Sequence, residues 1–182
     1  MNTKVNFGFI SGLEGGRITR GYVPDPEHSR SGVTVATGFD LGQRSSAELH
    51  RLFPESLAHK LSQYAGQKGM DAVAVLARAP LQLTEDEAEH IDLCIKSEAI
   101  AKLQRRYNAA APREFADLPE QAQTVIASVA FQYGDLARRC PKFWQTAISA
   151  DWQAMTAELE HFGDRYPGRR SKEANYLKLI GA

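Results

Sequence analysis

The sequence predicts a mainly helical α+β protein that has one small β region near the N-terminus. Two patterns support this fold class. Residues 16–42 are rich in glycine and contain alternating strand-forming residues, as short hairpins do. After Ser45, apolar residues recur at helical spacing, and proline or capping residues separate the helical segments. A chain of 182 residues can bury a sizeable core as one domain or as two lobes.

The first predicted element is a short apolar helix that ends near Glu14. Its apolar residues are Phe9, Ile10 and Leu13. The β region that follows contains two runs of strand formers, 17–20 and 33–37, and Pro24-Asp25-Pro26 lies in the connection between them. These runs predict a β-hairpin or a three-stranded sheet.

The longest predicted helix runs from about 85 to 108, because Thr84-Glu85-Asp86-Glu87 forms a capping box ahead of apolar residues at helical spacing. The segment 125–131 is apolar on nearly every side, which predicts a buried central helix. Caps and prolines bound the other predicted helices, which cover 46–53, 54–64, 70–79, 141–150, 151–162 and 170–180.

These elements predict two lobes within a single catalytic domain. The N-lobe covers about 14–80 and contains the β region at 16–42. A connecting helix at about 85–108 leads to a helical C-lobe at about 112–182. Because ligands bind preferentially in concave sites between such lobes, we expect the substrate in a cleft there.

Charge and composition exclude several classes of function. The chain has 22 basic and 22 acidic residues, so it lacks the basic surplus of a nucleic-acid-binding protein. No apolar stretch suits a signal peptide or a membrane span, and we expect no membrane insertion. The five histidines have no ligand spacing, so neither a metal nor another cofactor is expected. Cys94 and Cys140 permit at most one disulfide, and two buried thiols are expected in preference to that bridge.

Three polar residues near the β region are candidates for catalysis. Glu14 lies at the junction between the first helix and the hairpin. The glycine-bounded segment from Gly32 to Gly42 can bring Thr34 and Asp40 back beside the start of the hairpin. Two carboxylates in different environments are what the cleavage of a glycosidic bond requires, since one acts as the acid and the other stays ionised.

The run from Leu13 to Gly42 resembles pesticin-like muramidase domains, which are related to the lysozymes of tailed phages. Its distinctive parts are Glu14-Gly15, the strand Thr34-Val35-Ala36-Thr37-Gly38 and Phe39-Asp40-Leu41-Gly42. Weaker similarity continues in Phe131-Gln132-Tyr133-Gly134, in Asp151-Trp152 and in residues 162–170. The resemblance implies a lysozyme-like two-lobe fold.

The resemblance also implies the roles of the candidate residues. Glu14 corresponds to the general acid, Thr34 to the residue that positions water, and Asp40 to the base or electrostatic partner. Phage lysozymes place their aspartate nine residues after the glutamate, where this chain has Val23. The pesticin-like spacing, six residues after the threonine, selects Asp40 instead, and Asp25 remains the alternative. Gln132 and Tyr133 are weaker candidates for substrate contact, because a packing role also explains them.

The implied function is hydrolysis of the β-1,4 bond between N-acetylmuramic acid and N-acetylglucosamine in peptidoglycan. The chain would be an interbacterial toxin or a phage endolysin, made in the cytoplasm without a signal peptide and acting in the periplasm or wall of a target bacterium. A monomer is expected. The candidate partners are peptidoglycan, a cognate immunity protein, and a secretion-system or phage-lysis protein. The alternatives are a noncatalytic cell-wall-binding module and a lytic transglycosylase.

Overall fold

The computed structural model describes residues 3–14 and 18–181. Within these ranges the chain forms ten α-helices and one three-stranded antiparallel sheet, so the predicted mainly helical α+β class is confirmed. The helices are α1 (Phe7–Ser11), α2 (Ser46–Leu52), α3 (Glu55–Ser62), α4 (Gly69–Arg78), α5 (Glu85–Ala110), α6 (Glu120–Tyr133), α7 (Leu136–Arg139), α8 (Pro141–Ile148), α9 (Trp152–Glu160) and α10 (Pro167–Leu177). The strands are β1 (Ile18–Tyr22), β2 (Thr34–Ala36) and β3 (Phe39–Asp40).

The chain divides into two compact units, each with its own hydrophobic core. The first, here called the sheet unit, contains the described residues 18–97. The second, the helical unit, contains residues 3–14 and 98–181. Helix α5 contributes its first half to the sheet unit and its second half to the helical unit. Gly15, the second residue of the predicted Glu-Gly motif, lies outside the described residues.

The sheet has the order β1-β2-β3 with both pairs antiparallel. The short β2–β3 hairpin pairs Val35 with Phe39 and is closed by a three-residue turn. Two residues of that turn have positive φ, Ala36 at 53° and Gly38 at 114°. Gly38 adopts this backbone at little cost, whereas Ala36 does so against the preference of an L-residue with a Cβ.

The capping box predicted at the start of α5 is confirmed. The backbone amide of Thr84 donates to Glu87 Oε2 at 2.8 Å, and the Glu87 amide donates to Thr84 Oγ1 at 3.1 Å. These bonds satisfy donors that the first turn of a helix otherwise leaves without partners. Most of the stripe that packs on the sheet unit's core is apolar, but Asp92 and Lys96 on this half of α5 are also buried.

The central helix of the helical unit is α6, whose residues 122–129 are buried without interruption. Two polar residues in this stretch anchor the N-terminal segment. Gln123 Oε1 accepts from the Lys4 amide at 2.9 Å, and Thr124 Oγ1 accepts from the Asn6 amide at 2.9 Å. Asn6 in turn caps α1 by accepting from the Phe9 amide. The short helix that precedes Glu14 is therefore tied to α6.

Some boundaries differ from the prediction. Helix α10 begins at Pro167 rather than at residue 170, since proline is accepted at the first position of a helix, where no intrahelical N–H bond is needed. Cys94 and Cys140 are both thiols, with Cys140 buried and Cys94 half-buried. Among the helices of the described residues, none has the length and apolar composition that crossing a membrane requires.

Candidate functional site

Thr34 and Asp40 are directly opposite each other in the register of the β2–β3 hairpin. Opposite residues of an antiparallel pair project from the same face of the sheet, with Cβ atoms about 4.5–5.5 Å apart. The structure thus brings together these two of the residues that the sequence nominated. Thr34 is buried, and its hydroxyl donates to Gly32 O at 3.2 Å.

Two backbone amides hold the carboxylate of Asp40. Its Oδ1 accepts from the Gly32 amide at 2.9 Å and from the Gly42 amide at 2.8 Å. Both bonds use one oxygen, so the plane of the carboxylate is fixed. The other oxygen, Oδ2, makes a long contact of 3.4 Å with Gln43 Nε2. This geometry orients Asp40 while leaving Oδ2 with hydrogen-bonding capacity.

The amides of Gly32 and Gly42 converge on Asp40 because the two glycines pack backbone to backbone. A Cβ added to Gly42 would lie 2.6 Å from Gln67 O and 2.7 Å from the Cα of Gly32. A Cβ on Gly32 would meet Gln67 O at 2.5 Å. Such an approach excludes any side chain at either position. This explains why the segment that carries Thr34 and Asp40 is bounded by glycine.

Gln43 is a residue of this site that the sequence analysis missed. Its Nε2 donates to Arg30 O at 2.9 Å as well as contacting Asp40, and its Oε1 accepts from Lys68 Nζ at 3.1 Å. The side-chain amide therefore links Asp40 to two neighbouring segments. A glutamine after an Asp-Leu-Gly sequence carries no pattern that would have identified it.

The alternative aspartate, Asp25, lies in the exposed connection between β1 and β2. Its backbone φ is 39°, and its carbonyl accepts from the Ser29 amide at 2.9 Å. Its side chain contacts His28 Nδ1 at 3.0 Å. These are the bonds of a tight turn, in which aspartate tolerates positive φ and bonds to nearby groups.

Glu14 follows α1 in the helical unit. Its backbone amide donates to Ser11 O at 3.3 Å, which continues the helical turn to this residue. The residue is half-buried, and its Oε2 atom is inaccessible to solvent. One oxygen of the Glu14 carboxyl group is therefore shielded from water.

Gln132 and Tyr133, at the end of α6, belong to a buried polar cluster in the helical unit. The guanidinium of Arg170 donates to Gln132 Oε1 and to Asp164 Oδ2, the latter at 2.9 Å, and pairs with Glu173. The Tyr133 hydroxyl donates to Asp164 Oδ2 at 2.7 Å. Both side chains therefore have partners inside the protein, and their contact with substrate stays a prediction.

This cluster shifts the protonation of its members. Burial works to raise the pKa of Asp164, but hydrogen bonds from Tyr133, the Tyr166 amide and Arg170 outweigh it and hold that pKa below its ordinary value. Burial works to lower the pKa of Arg170, but the carboxylates of Glu173 and Asp164 raise it. Burial, reinforced by the bond to Asp164, raises the pKa of Tyr133. These shifts favour the charged forms of Asp164 and Arg170 and the protonated form of Tyr133.

A groove of about 770 Å³ lies in the helical unit between the second half of α5, the end of α6, and α7. Its wall is largely apolar and includes Phe131, Leu136 and Trp144. Arg106 and Asp135 on its rim form an ion pair of 3.2 Å. None of the candidate catalytic residues lines this groove. The groove is therefore not part of the site formed by Asp40 and Thr34.

Chemically, the hairpin offers a fixed carboxylate beside a threonine hydroxyl, and the segment after α1 carries the half-buried carboxyl group of Glu14. No curated protein matches the chain. The model of the Pesticin family, described as a bacterial toxin homologue of phage lysozyme, C-terminal, matches residues 4–153. That range includes Glu14, Thr34 and Asp40, and also Gln132 and Tyr133 of the Arg170 cluster, but it ends before Asp164, Arg170 and Glu173. The chain belongs to the Pesticin family of bacterial toxin homologues of phage lysozyme.

Proposed function

We propose that this protein is a muramidase that hydrolyses the β-1,4 bond between N-acetylmuramic acid and N-acetylglucosamine in peptidoglycan. The observation that carries the proposal is the pairing of Thr34 with Asp40 on a hairpin within the range of the family match. Two backbone amides fix the orientation of the Asp40 carboxylate. A carboxylate that is only solvated at the surface does not require such fixed bonds. Such a fixed carboxylate suits a base that acts on one water molecule.

In the proposed reaction, Glu14 donates its proton to the glycosidic oxygen as the bond to the anomeric carbon breaks. A water molecule attacks that carbon and transfers a proton to Asp40 Oδ2. Thr34 already donates its own proton to Gly32 O, so its hydroxyl oxygen can accept the second hydrogen of the water. The products are a free hydroxyl on one sugar and a reducing end on the other. Direct attack by water inverts the anomeric configuration.

We further propose that the biological role is that of a toxin against other bacteria, with the wall in the periplasm of the target cell as its site of action. The description of the family as a bacterial toxin homologue supports this role over that of a phage endolysin. A toxin of this kind requires an immunity protein in the producing cell and a delivery system, since the substrate lies outside the cytoplasm.

The decisive experiment is digestion of purified peptidoglycan followed by mass spectrometry of the fragments. Hydrolysis gives reducing N-acetylmuramic acid ends, whereas a lytic transglycosylase leaves anhydro ends that are lighter by one water. Proton NMR of early products should show the inverted anomer first. Anhydro ends would establish the transglycosylase alternative, and the absence of soluble fragments would favour a noncatalytic wall-binding module.

The toxin role requires a separate test in living cells. Expression with an added export signal should lyse the cells, whereas cytoplasmic expression should not, because only the exported form reaches the wall. Exported Glu14→Gln at matched abundance is the control for export stress. Lysis by that variant would contradict the proposed enzymatic killing.

A further inference from the structure

We propose that Asp92 is a positioning residue that holds the β2–β3 turn and thereby sets the geometry between Thr34 and Asp40. Asp92 Oδ1 accepts two hydrogen bonds from Thr37, one from its backbone amide at 3.0 Å and one from its hydroxyl at 2.6 Å. Asp92 lies on α5, 55 residues away in the chain, so this contact fastens the hairpin to a long helix.

The position of Thr37 gives this contact its significance. Thr37 is three residues after Thr34 and three before Asp40, so it is the midpoint of the hairpin. Thr37 itself is exposed, so packing of its side chain against a core does not hold it in place. Asp92, in contrast, is only 3% exposed and belongs to a rigid helix. A buried carboxylate therefore anchors an otherwise exposed turn.

The backbone on both sides of Thr37 makes such an anchor necessary. Ala36 and Gly38 both have positive φ, and Ala36 adopts this conformation against its preference. A strained turn persists only when surrounding contacts determine it. A change of one residue in strand register would place Thr34 and Asp40 on opposite faces. The two bonds from Thr37 to Asp92 oppose both changes.

This inference rests on the proposed function, because it assigns Asp92 a role in the chemistry of Asp40 and Thr34. The role differs from ordinary structural support. A residue that only stabilises the sheet unit alters how much protein is folded, whereas a positioning residue alters the turnover of each folded molecule. Misplacing a reacting group by about 1 Å can cost about 100-fold in rate.

The test compares kcat and KM on solubilised glycan strands for Asp92→Ala, Asp92→Asn and a matched control, Ile91→Ala. Ile91 is fully buried in the core of the same unit and precedes Asp92, so its truncation destabilises the unit while Asp92 and Thr37 keep the groups that form their two hydrogen bonds. We expect Asp92→Ala to lower kcat by about 10- to 100-fold with KM nearly unchanged. Ile91→Ala should lower the melting temperature yet leave the kcat of the folded protein unchanged.

The conservative variants sharpen the distinction. Asp92→Asn keeps an oxygen that can accept both bonds, so its kcat should stay close to wild type even if loss of the charge lowers the melting temperature. Thr37→Ser keeps the hydroxyl donor and should be active. Thr37→Val loses the hydroxyl bond but keeps the amide bond, so its loss of kcat should be smaller than that of Asp92→Ala. The double variant Thr37→Val/Asp92→Ala should be no slower than Asp92→Ala, since Asp92→Ala already removes both bonds to Thr37.

Two outcomes would overturn the inference while leaving the proposed function intact: an unchanged kcat in Asp92→Ala, or an equal loss of kcat in Ile91→Ala. If wild type releases no wall fragments, the proposed function fails, and amide hydrogen exchange decides the positioning role instead. The Gly38 and Leu41 amides close the hairpin on Val35 O and Val33 O. Asp92→Ala should speed their exchange more than Ile91→Ala does, and equal exchange would refute the anchoring role.

Discussion

Thr34 and Asp40 face each other across two antiparallel strands, and the turn between them is fastened by Asp92. The separation of the hydroxyl and the carboxylate thus depends on strand register rather than on side-chain freedom. Because side chains alternate between faces with a period of two, a slip of one residue would put the two groups on opposite faces of the sheet. A reaction that needs both groups at one water molecule is therefore sensitive to changes in the backbone around them.

Replacing Glu14 by glutamine should abolish wall lysis while preserving the fold. The amide has nearly the same shape as the carboxyl group but cannot donate the proton that the leaving oxygen needs. General acid catalysis contributes about 10²–10⁴-fold, so turbidity loss of wall suspensions should slow by at least about 100-fold. Circular dichroism should show an unchanged melting transition. Wall clearing at the wild-type rate would remove Glu14 from the mechanism.

Asp40→Asn should be far more damaging to activity than Asp25→Asn. The asparagine carbonyl can still accept from the Gly32 and Gly42 amides, so the loop is retained while the proposed base is lost. We expect a rate loss of about 10²–10⁴-fold. Asp25 is exposed and bonds to His28 within a turn, so its variant should retain activity. The same turbidity assay would show the reverse ranking if Asp25 were the functional carboxylate.

Gly42→Ala should impair both stability and activity. The added Cβ would lie 2.6 Å from Gln67 O, closer than packed atoms allow, so the backbone must move and the amide bond to Asp40 is lost. Overpacking of this kind costs about 1–3 kcal/mol of folding free energy, measurable by urea denaturation. The matched control is Gly168→Ala, where nothing lies within 4 Å of the added atom. Equal stability and activity in the two variants would argue against the glycine contact.

Ionisation of Asp164 should make the free energy of unfolding depend on pH in the acidic range. Its pKa in the folded state lies below the ordinary value of about 3.9. It therefore adds stability that is complete above that ordinary value and is lost as pH falls through the folded pKa. Asp164→Asn should be less stable than wild type at neutral pH, and the difference should shrink as the pH is lowered below about 4.

Tyr133→Phe provides a graded comparison for this effect. It removes one of the bonds that favour the ionised form of Asp164. The pH dependence of its melting temperature should therefore lie between those of wild type and Asp164→Asn. Melting temperatures measured from pH 3 to pH 7 would check the order. Parallel curves for all three proteins would show that the network does not control the ionisation.

Local signals allowed much of the fold to be predicted. The capping box at Thr84, the apolar run at 125–131 and the prolines all act on neighbouring residues, so the sequence displays them directly. The glycine-bounded strand similarly indicated that Thr34 and Asp40 could meet. Gln43 escaped notice because its contacts depend on where separate segments lie in space.

Asp92 had a weak signal that could have been used. It lies four residues after Ala88 and three before Ile95, on the apolar stripe of α5, where a carboxylate is out of place. Burial of such a residue requires hydrogen-bonding partners. The pattern alone could not identify the partner, because Thr37 is distant in sequence and exposed.

The attachment of α1 to α6 has a consequence for the order of assembly. The Asn6 amide bonds to Thr124, 118 residues later, whereas the sheet unit draws all its described residues from one continuous segment. During synthesis the sheet unit can close before its neighbours exist, but α1 must wait until α6 has been translated. We therefore expect Glu14 to reach its native environment only after α6 has formed, although it is synthesised before the sheet unit, because loop closure over so many residues is slow.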